Sequence, residues 1–566
     1  MNQPNPAIVS QDAVRRMPRI ALLLFCAAYV LPGFVGRQPW KSADATAFGY
    51  MLALAHGDSG WLHPTLLGLA PETDGPLPYW LGALALKLAP AWVVPSFAAR
   101  VPFILLLALT LVATWYAVYF LARSSHAQPV RFAFGGEANP VDYARAMADG
   151  GLLALVACLG LAQLSHEITP ALTQVCCTAL VFYAVAAAPY RTWLPAASLT
   201  LGLVGLAASG APSMAALFGL GSALLCLAEP DQGAGSRRRT IAWVVAIVGV
   251  TLLAALVAQA LDLWRWRAEL PQPRWVAWRN LGRLLLWFTW PAWPLALWTL
   301  WRWRAQLINR EFGRHVALPL WYVVVAIGAM VVMEPADRAL LLGMPALAAL
   351  AAFALPTFKR NVTAVIDWFT LLFFSASAIA LWVIWISLQT GHPKQPAANV
   401  ARLAPGFEPH FFPVAFLVAL AATLCWIWLV RWRVGRHRPA IWKSLVLPAG
   451  GTALSWLLLM TLMLPVLDFA RSYHALVGRV VSIIGQPACV EVYGLSRGQI
   501  TAFQYHGRLN LVQADRAARC PWLIVDADAR DTLPEAVDLG QWTSRGIFRR
   551  PSDNNEDVLL YRRAGR

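Results

Sequence analysis

Apolar runs of roughly 17 to 25 residues recur along this chain, each closed by a short polar or basic break, and that is the length a helix needs to cross a bilayer. The runs predict helices near 20–36, 98–121, 147–163, 170–188, 193–208, 212–228, 239–260, 281–300, 316–333, 339–356, 364–387, 412–430 and 444–466, about thirteen in all. After the last of them the pattern changes. A helix-like piece, YHALVGRVVSII, is followed by the short apolar runs ACVEVYG, RLNLVQ, PWLIVDA and DVLLYRR, separated by polar and Gly/Pro stretches. These read as strands of a small α/β domain over 470–566, beside a membrane domain over 1–469.

Composition agrees with a polytopic α-helical membrane protein. Of the 566 residues, 58% are hydrophobic and 13% charged, with 28 Trp, and the mean hydropathy is +0.54. The net charge of +17 follows membrane topology and gives no reason to invoke nucleic acid. With the N-terminus cytoplasmic, the inside connections carry Arg15, Arg16 and Arg19; Arg123 and Arg131; Arg191; Arg237 to Arg239; Arg302, Arg304, Arg310 and Arg314; Lys359 and Arg360; and Arg431 to Lys443. Every inside loop is basic, as the positive-inside rule requires. The opening residues lack a signal-peptide cleavage pattern and read as a retained cytoplasmic tail. An odd number of spans then puts the C-terminus outside.

One outside connection, 262–280, breaks the rule with Arg265, Arg267, Arg274 and Arg279 interleaved with Trp264, Trp266, Trp275 and Trp278. It reads as an interfacial anchor or as a contact for an anionic headgroup. Six cysteines lie in expected spans, whereas Cys489 and Cys520 are the two in the outer domain. In an oxidising compartment they form a natural disulfide pair. No Walker loop, GxSxG elbow or HExxH motif occurs, and no ligand set names a metal or other cofactor.

The chemistry therefore lies among polar residues at membrane ends. The segment 37–97 after the first span is an outer loop with Arg37, Lys41 and Asp44 at its start. Residues 42–56 predict a short helix, with Ser42 as cap and Asp44 in the first turn, where the helix dipole favours a carboxylate. That stabilising role is one reading of Asp44; a catalytic carboxylate is the other. Arg37 and Lys41 are either cations for a ligand or side chains snorkelling to the interface. In MEPADR, Arg338 sits at the start of a span, free to fork two bonds to a phosphate or to pair locally with Glu334 or Asp337. His166 and Glu167 form the other outer polar pair.

The order of residues in this loop resembles a known family. An Asp soon after the first span, then GDSGWLHPTLLG, then a Pro-rich turn ending in PYWL, is similar to bacterial relatives of protein O-mannosyltransferases and the lipid A aminoarabinose transferases. The aromatic LWFTWPAWPLALWTLWRWR, the pair of helices around MEPADR, the thirteen spans and the small outer domain extend the likeness along most of the chain. The resemblance implies a type C glycosyltransferase architecture in the bacterial inner membrane. It implies transfer of a monosaccharide, with inversion, from a polyprenyl-phosphate donor to a periplasmic lipid, glycan or protein acceptor. Asp44 is then the general base, and Arg37, Lys41, Asp74, Tyr79, Glu167 and Arg338 bind substrate. A transporter and a non-catalytic binding or scaffold relative are the alternatives.

The sequence departs from the family in three places. Relatives commonly carry Asp-Glu where this chain has Asp44-Ala45. The family's Lys-Pro-Pro-Leu type turn is here Asp74-Gly75-Pro76-Leu77, and a later Lys-Gly turn is Ser209-Gly210. Two cations suited to a phosphate are thus missing, so other residues must supply them if the chain is an enzyme.

Overall fold

The computed structural model describes all residues except 1–4, 73–74, 229–233, 266–267, 270, 272–273, 309–312, 435–439, 554–555 and 565–566. Helices dominate residues 19–484, and a mixed sheet closes the chain. Among the described residues, six helices are each long and apolar enough to cross a membrane: Pro95–Ala122, Pro170–Ala187, Arg237–Ala260, Arg314–Val332, Asn361–Thr390 and Pro413–Arg433. A seventh span results if Ile441–Leu459 and Leu464–Arg471, bent by 67°, are taken as one.

The expected count of thirteen is therefore not reproduced by helix length, because several apolar runs are short or interrupted. The run at 147–163 is Pro140–Ala157 and Leu159–Leu164, broken at Cys158. That at 281–300 is Trp275–Phe288 and Ala292–Arg302. The two interruptions meet, for the Leu159 amide donates to the Trp290 carbonyl at 3.0 Å. Backbone groups freed by a break inside an apolar bundle are costly unless paired, and here each break supplies a partner for the other.

Helices 101–122, 170–187 and 193–208 form one packed group, in which small residues set the spacing. At Gly202 an added Cβ would lie 2.8 Å from the Cys177 carbonyl oxygen, the close approach that membrane helices use in place of a hydrophobic driving force. At one end of the bundle the basic connections touch. The Trp442 indole donates to the Arg15 carbonyl at 2.7 Å, Gln306 to that of His126 at 3.1 Å, and Arg239 to that of Arg191 at 3.2 Å.

The other end carries the sheet. Strands β1 (Val490–Tyr493), β2 (Leu511–Gln513), β3 (Trp522–Asp526), β4 (Trp542–Arg549) and β5 (Asp557–Arg563) lie in the order β2-β1-β3-β5-β4. The first three are parallel and β5 is antiparallel to both its neighbours. Alternation sorts the side chains to two faces. Val490, Val492, Ile524, Val558 and Leu560 join the main core, while Leu523, Val525 and Leu559 pack with Leu533, Val537 and Trp542 on the reverse. Strand β4 and helix Arg497–Tyr505 had no apolar signature in the sequence. Much of β4 is exposed, and the helix is specified by a Ser496/Gln499 capping box. Cys489 and Cys520 are disulfide-bonded, tying the start of β1 to the approach of β3.

Candidate active site between the bundle and the sheet

Helix Ala43–His56 begins at the sheet-bearing end. The Ser42 side chain makes no cap bond, because its φ of 69° turns the chain the other way. Asp44 instead reaches back to the Trp40 amide (3.0 Å, Oδ2), pinning the segment that precedes the helix. The same Oδ2 accepts from Arg37 at 3.0 Å, with the Arg100 guanidinium 3.8 Å away. Asp44 Oδ1 accepts the Ile168 amide at 2.9 Å. Asp44 is 1% exposed, as are Arg37 and Arg100. It is a buried keystone joining the first loop, the start of helix Val101–Ala122 and the 165–169 turn.

Around that knot lies a second ring of charge. The Trp40 indole donates to Asp468 at 2.6 Å and is flanked by Arg37 and Arg471, 4.4 and 5.0 Å from its ring. Asp468 also accepts the Gln38 amide at 3.2 Å. Glu167, 8% exposed, interacts with Asp44, Arg37, Arg338 and Arg471. Burial, and then the Asp44 charge, hold its carboxyl above the usual glutamate range. Arg338 has no ion pair to Glu334 or Asp337 within 4 Å, and Arg471 likewise has no carboxylate that close among the described residues. Three carboxylates (Asp44, Glu167, Asp468) thus face four guanidiniums (Arg37, Arg100, Arg338, Arg471). The surplus is positive, and the two arginines lacking a close partner carry it.

The remaining expected residues are distributed differently. Lys41 is turned toward the sheet domain, 2.5 Å from Asp553 and 3.7 Å from Glu556, where Arg550 joins the network. Tyr79 is buried against Tyr50, ring centroids 4.9 Å apart. Tyr50 in turn accepts from Arg497 of the sheet domain at 3.0 Å, and Arg497 also holds Glu72 and the Ala70 carbonyl. Asp74 lies outside the described residues. Arg265 donates to the Glu72 carbonyl at 2.7 Å, which ties the tryptophan- and arginine-rich connection to the first loop. His166 is enclosed: its ring nitrogens face the carbonyls of Tyr29 (3.0 Å) and Ala162 (2.5 Å), and Ser165 Oγ lies 3.2 Å from Nδ1. Burial pushes its pKa down to about 3, so it is a neutral structural group. No cluster of three metal-ligating side chains occurs among the described residues.

The two turns that depart from the family pattern touch each other. A Cβ on Gly75 would lie 2.1 Å from the Ala208 carbonyl oxygen and 2.6 Å from the Gly210 amide nitrogen. Sequence reasoning passed over Arg100, Asp468 and Arg471. A signal existed, since Arg100 and Arg471, like Arg338, are cations beside apolar runs at the end opposite the basic connections. Beside the Arg338 helix, an apolar cavity of about 210 Å³ runs between helices 275–288, 292–302, 314–332 and 344–354, lined by Leu285, Thr289, Trp293, Val323, Leu340 and Leu347.

No protein-family model matches the chain, and no curated protein sequence matches it. Solved structures do. ArnT from Cupriavidus metallidurans in the apo state superposes with a TM-score of 0.60 at 14% identity, covering 96% of each chain. The same protein bound to undecaprenyl phosphate gives 0.61 at 14% identity, covering 97% of this chain and 99% of that one. The fold of this chain is thus that of ArnT, a lipid A aminoarabinose transferase with the type C glycosyltransferase fold.

Proposed function

We propose that this protein is an inner-membrane glycosyltransferase that moves a monosaccharide from a polyprenyl-phosphate donor to a periplasmic lipid, glycan or protein. The observation that carries the reading is a cluster of buried carboxylates and guanidiniums with surplus positive charge, next to an apolar cavity, on an ArnT-like fold. The acceptor attacks the anomeric carbon, the bond from that carbon to the phosphate oxygen breaks with inversion, and polyprenyl phosphate departs with the electron pair. A developing phosphate dianion needs fixed cations, and charge-assisted forked bonds from arginine suit it. Arg338 and Arg471 fill that role in place of the missing lysines. The polyprenyl chain runs into the apolar cavity beside the Arg338 helix.

Binding of the product tests the reading. Native mass spectrometry of the protein in lipid nanodiscs should show undecaprenyl phosphate retained over undecaprenol, and Arg338→Ala and Arg471→Ala should each weaken it by about tenfold or more, the worth of a hydrogen bond to a charged group. Equal retention of the alcohol and the phosphate would overturn it.

A further inference from the structure

We infer that Glu167 takes the proton from the acceptor, and that Asp44 is the positioning residue that holds Glu167 in place through the Ile168 amide. This deepens the transferase reading and rests on it.

The two carboxylates differ in how far they are already bound. Asp44 has Oδ1 committed to the Ile168 amide, and Oδ2 to the Trp40 amide and Arg37, with Arg100 close by. To accept a proton it would have to give up one of these bonds and leave two buried guanidiniums without their counter-charge, a loss that buried ion pairs do not tolerate. Both of its oxygens are thus occupied by fixed donors. Glu167 is different. Among the described residues its only hydrogen bond comes from Gln163 to Oε1, at 3.3 Å, and no guanidinium lies within 4 Å.

Its surroundings favour proton uptake. The charged groups facing Glu167 are Asp44 on helix 43–56, Arg37 on the segment before it, Arg338 on helix 336–341 and Arg471 on helix 464–471. Burial and Asp44 raise its basicity, while Arg37, Arg338 and Gln163 oppose them. A carboxylate lifted above its usual range can hold a proton without being permanently neutral, which is what a general base working near neutral pH requires. His166 next door is sealed between two backbone carbonyls and packed on Trp456 and Phe34, so it anchors the turn and cannot itself reach a substrate. The step balances: the acceptor proton goes to Glu167, the acceptor heteroatom bonds to the anomeric carbon, and polyprenyl phosphate leaves.

The test uses the full-length protein in vesicles with undecaprenyl-phosphate monosaccharides, following release of undecaprenyl phosphate against pH. Glu167→Gln should lower kcat by about 10²–10⁴, change KM little and abolish the acid limb of the profile; Glu167→Asp should restore a limb. Gln163→Leu removes the hydrogen bond that favours the charged form, so its limb should move to higher pH. In Asp44→Asn the limb should persist and move to lower pH, because a charge that raises Glu167 is gone. A Glu167→Gln enzyme that keeps its rate and acid limb, or an Asp44→Asn enzyme that loses the limb altogether, overturns the assignment while leaving the transferase reading intact. No release from any donor by the unmodified protein overturns the transferase reading and this assignment with it.

Discussion

Removing the Asp44 carboxylate should destabilise the protein through the cations it leaves behind more than through the bonds it loses. In Asp44→Ala, Arg37 and Arg100 remain about 1% exposed with no carboxylate within 4 Å, and the amides of Trp40 and Ile168 lose their acceptor. Breaking a buried pair in this way costs about 3–5 kcal/mol. Arg37→Met alone should cost a similar amount, since it leaves Asp44 with only the more distant Arg100 as counter-charge. In Asp44→Ala/Arg37→Met the uncompensated charge at Arg37 is gone, so the double variant should be more stable than the sum of the singles by about 2 kcal/mol, within the usual range for contacting residues. Unfolding in mixed micelles, followed by circular dichroism across all four proteins, measures the coupling. Additivity to within about 0.5 kcal/mol, the behaviour of independent sites, would refute the keystone role of Asp44.

Three further outcomes follow from other parts of the molecule. Replacing Cys489 and Cys520 by Ser opens a loop of 31 residues and should cost the sheet domain about 2–4 kcal/mol, read as faster trypsin cleavage after residue 470; unchanged cleavage would count against it. Gly75→Ala forces a Cβ onto the backbone of 208–210 and should cost about 1–3 kcal/mol by overpacking, so an alanine variant with parental thermal stability would show that the two turns do not pack as described. His506 has its pKa lowered to about 4 by burial and by neighbouring His474. The unfolded chain therefore binds more protons than the folded one between about pH 6.5 and 4. Stability of the sheet domain should be complete above about pH 6.5 and decline through that window, and His506→Gln should flatten the decline.

The parts of this protein that depend on local pattern were legible in the sequence. Runs such as 170–188, 316–333 and 412–430 became helices close to their expected ends, and four of the five strands were marked by short apolar runs. What the pattern hid is set by tertiary partners. The breaks at Cys158 and Thr289–Pro291 meet through the Leu159–Trp290 hydrogen bond, across 131 residues of sequence, so an apolar-run count mistakes broken segments for continuous spans. Asp44 stood out through its place after the first span. Its partner Ile168 contributes only a backbone amide, which no residue identity announces. Lys41 carried the same signal as Arg37, yet the sheet domain captures it with Asp553. Charge at a membrane end marks a residue of interest; only the fold decides which partner it meets.

Transfer of lipid-linked sugar at this cluster is measured by release of undecaprenyl phosphate from a panel of undecaprenyl-phosphate monosaccharides by the purified protein in vesicles. At least one donor should give release, strongly reduced by Asp44→Asn and by Arg338→Ala. Absence of release from every donor, by protein shown to be folded and correctly inserted, would contradict it.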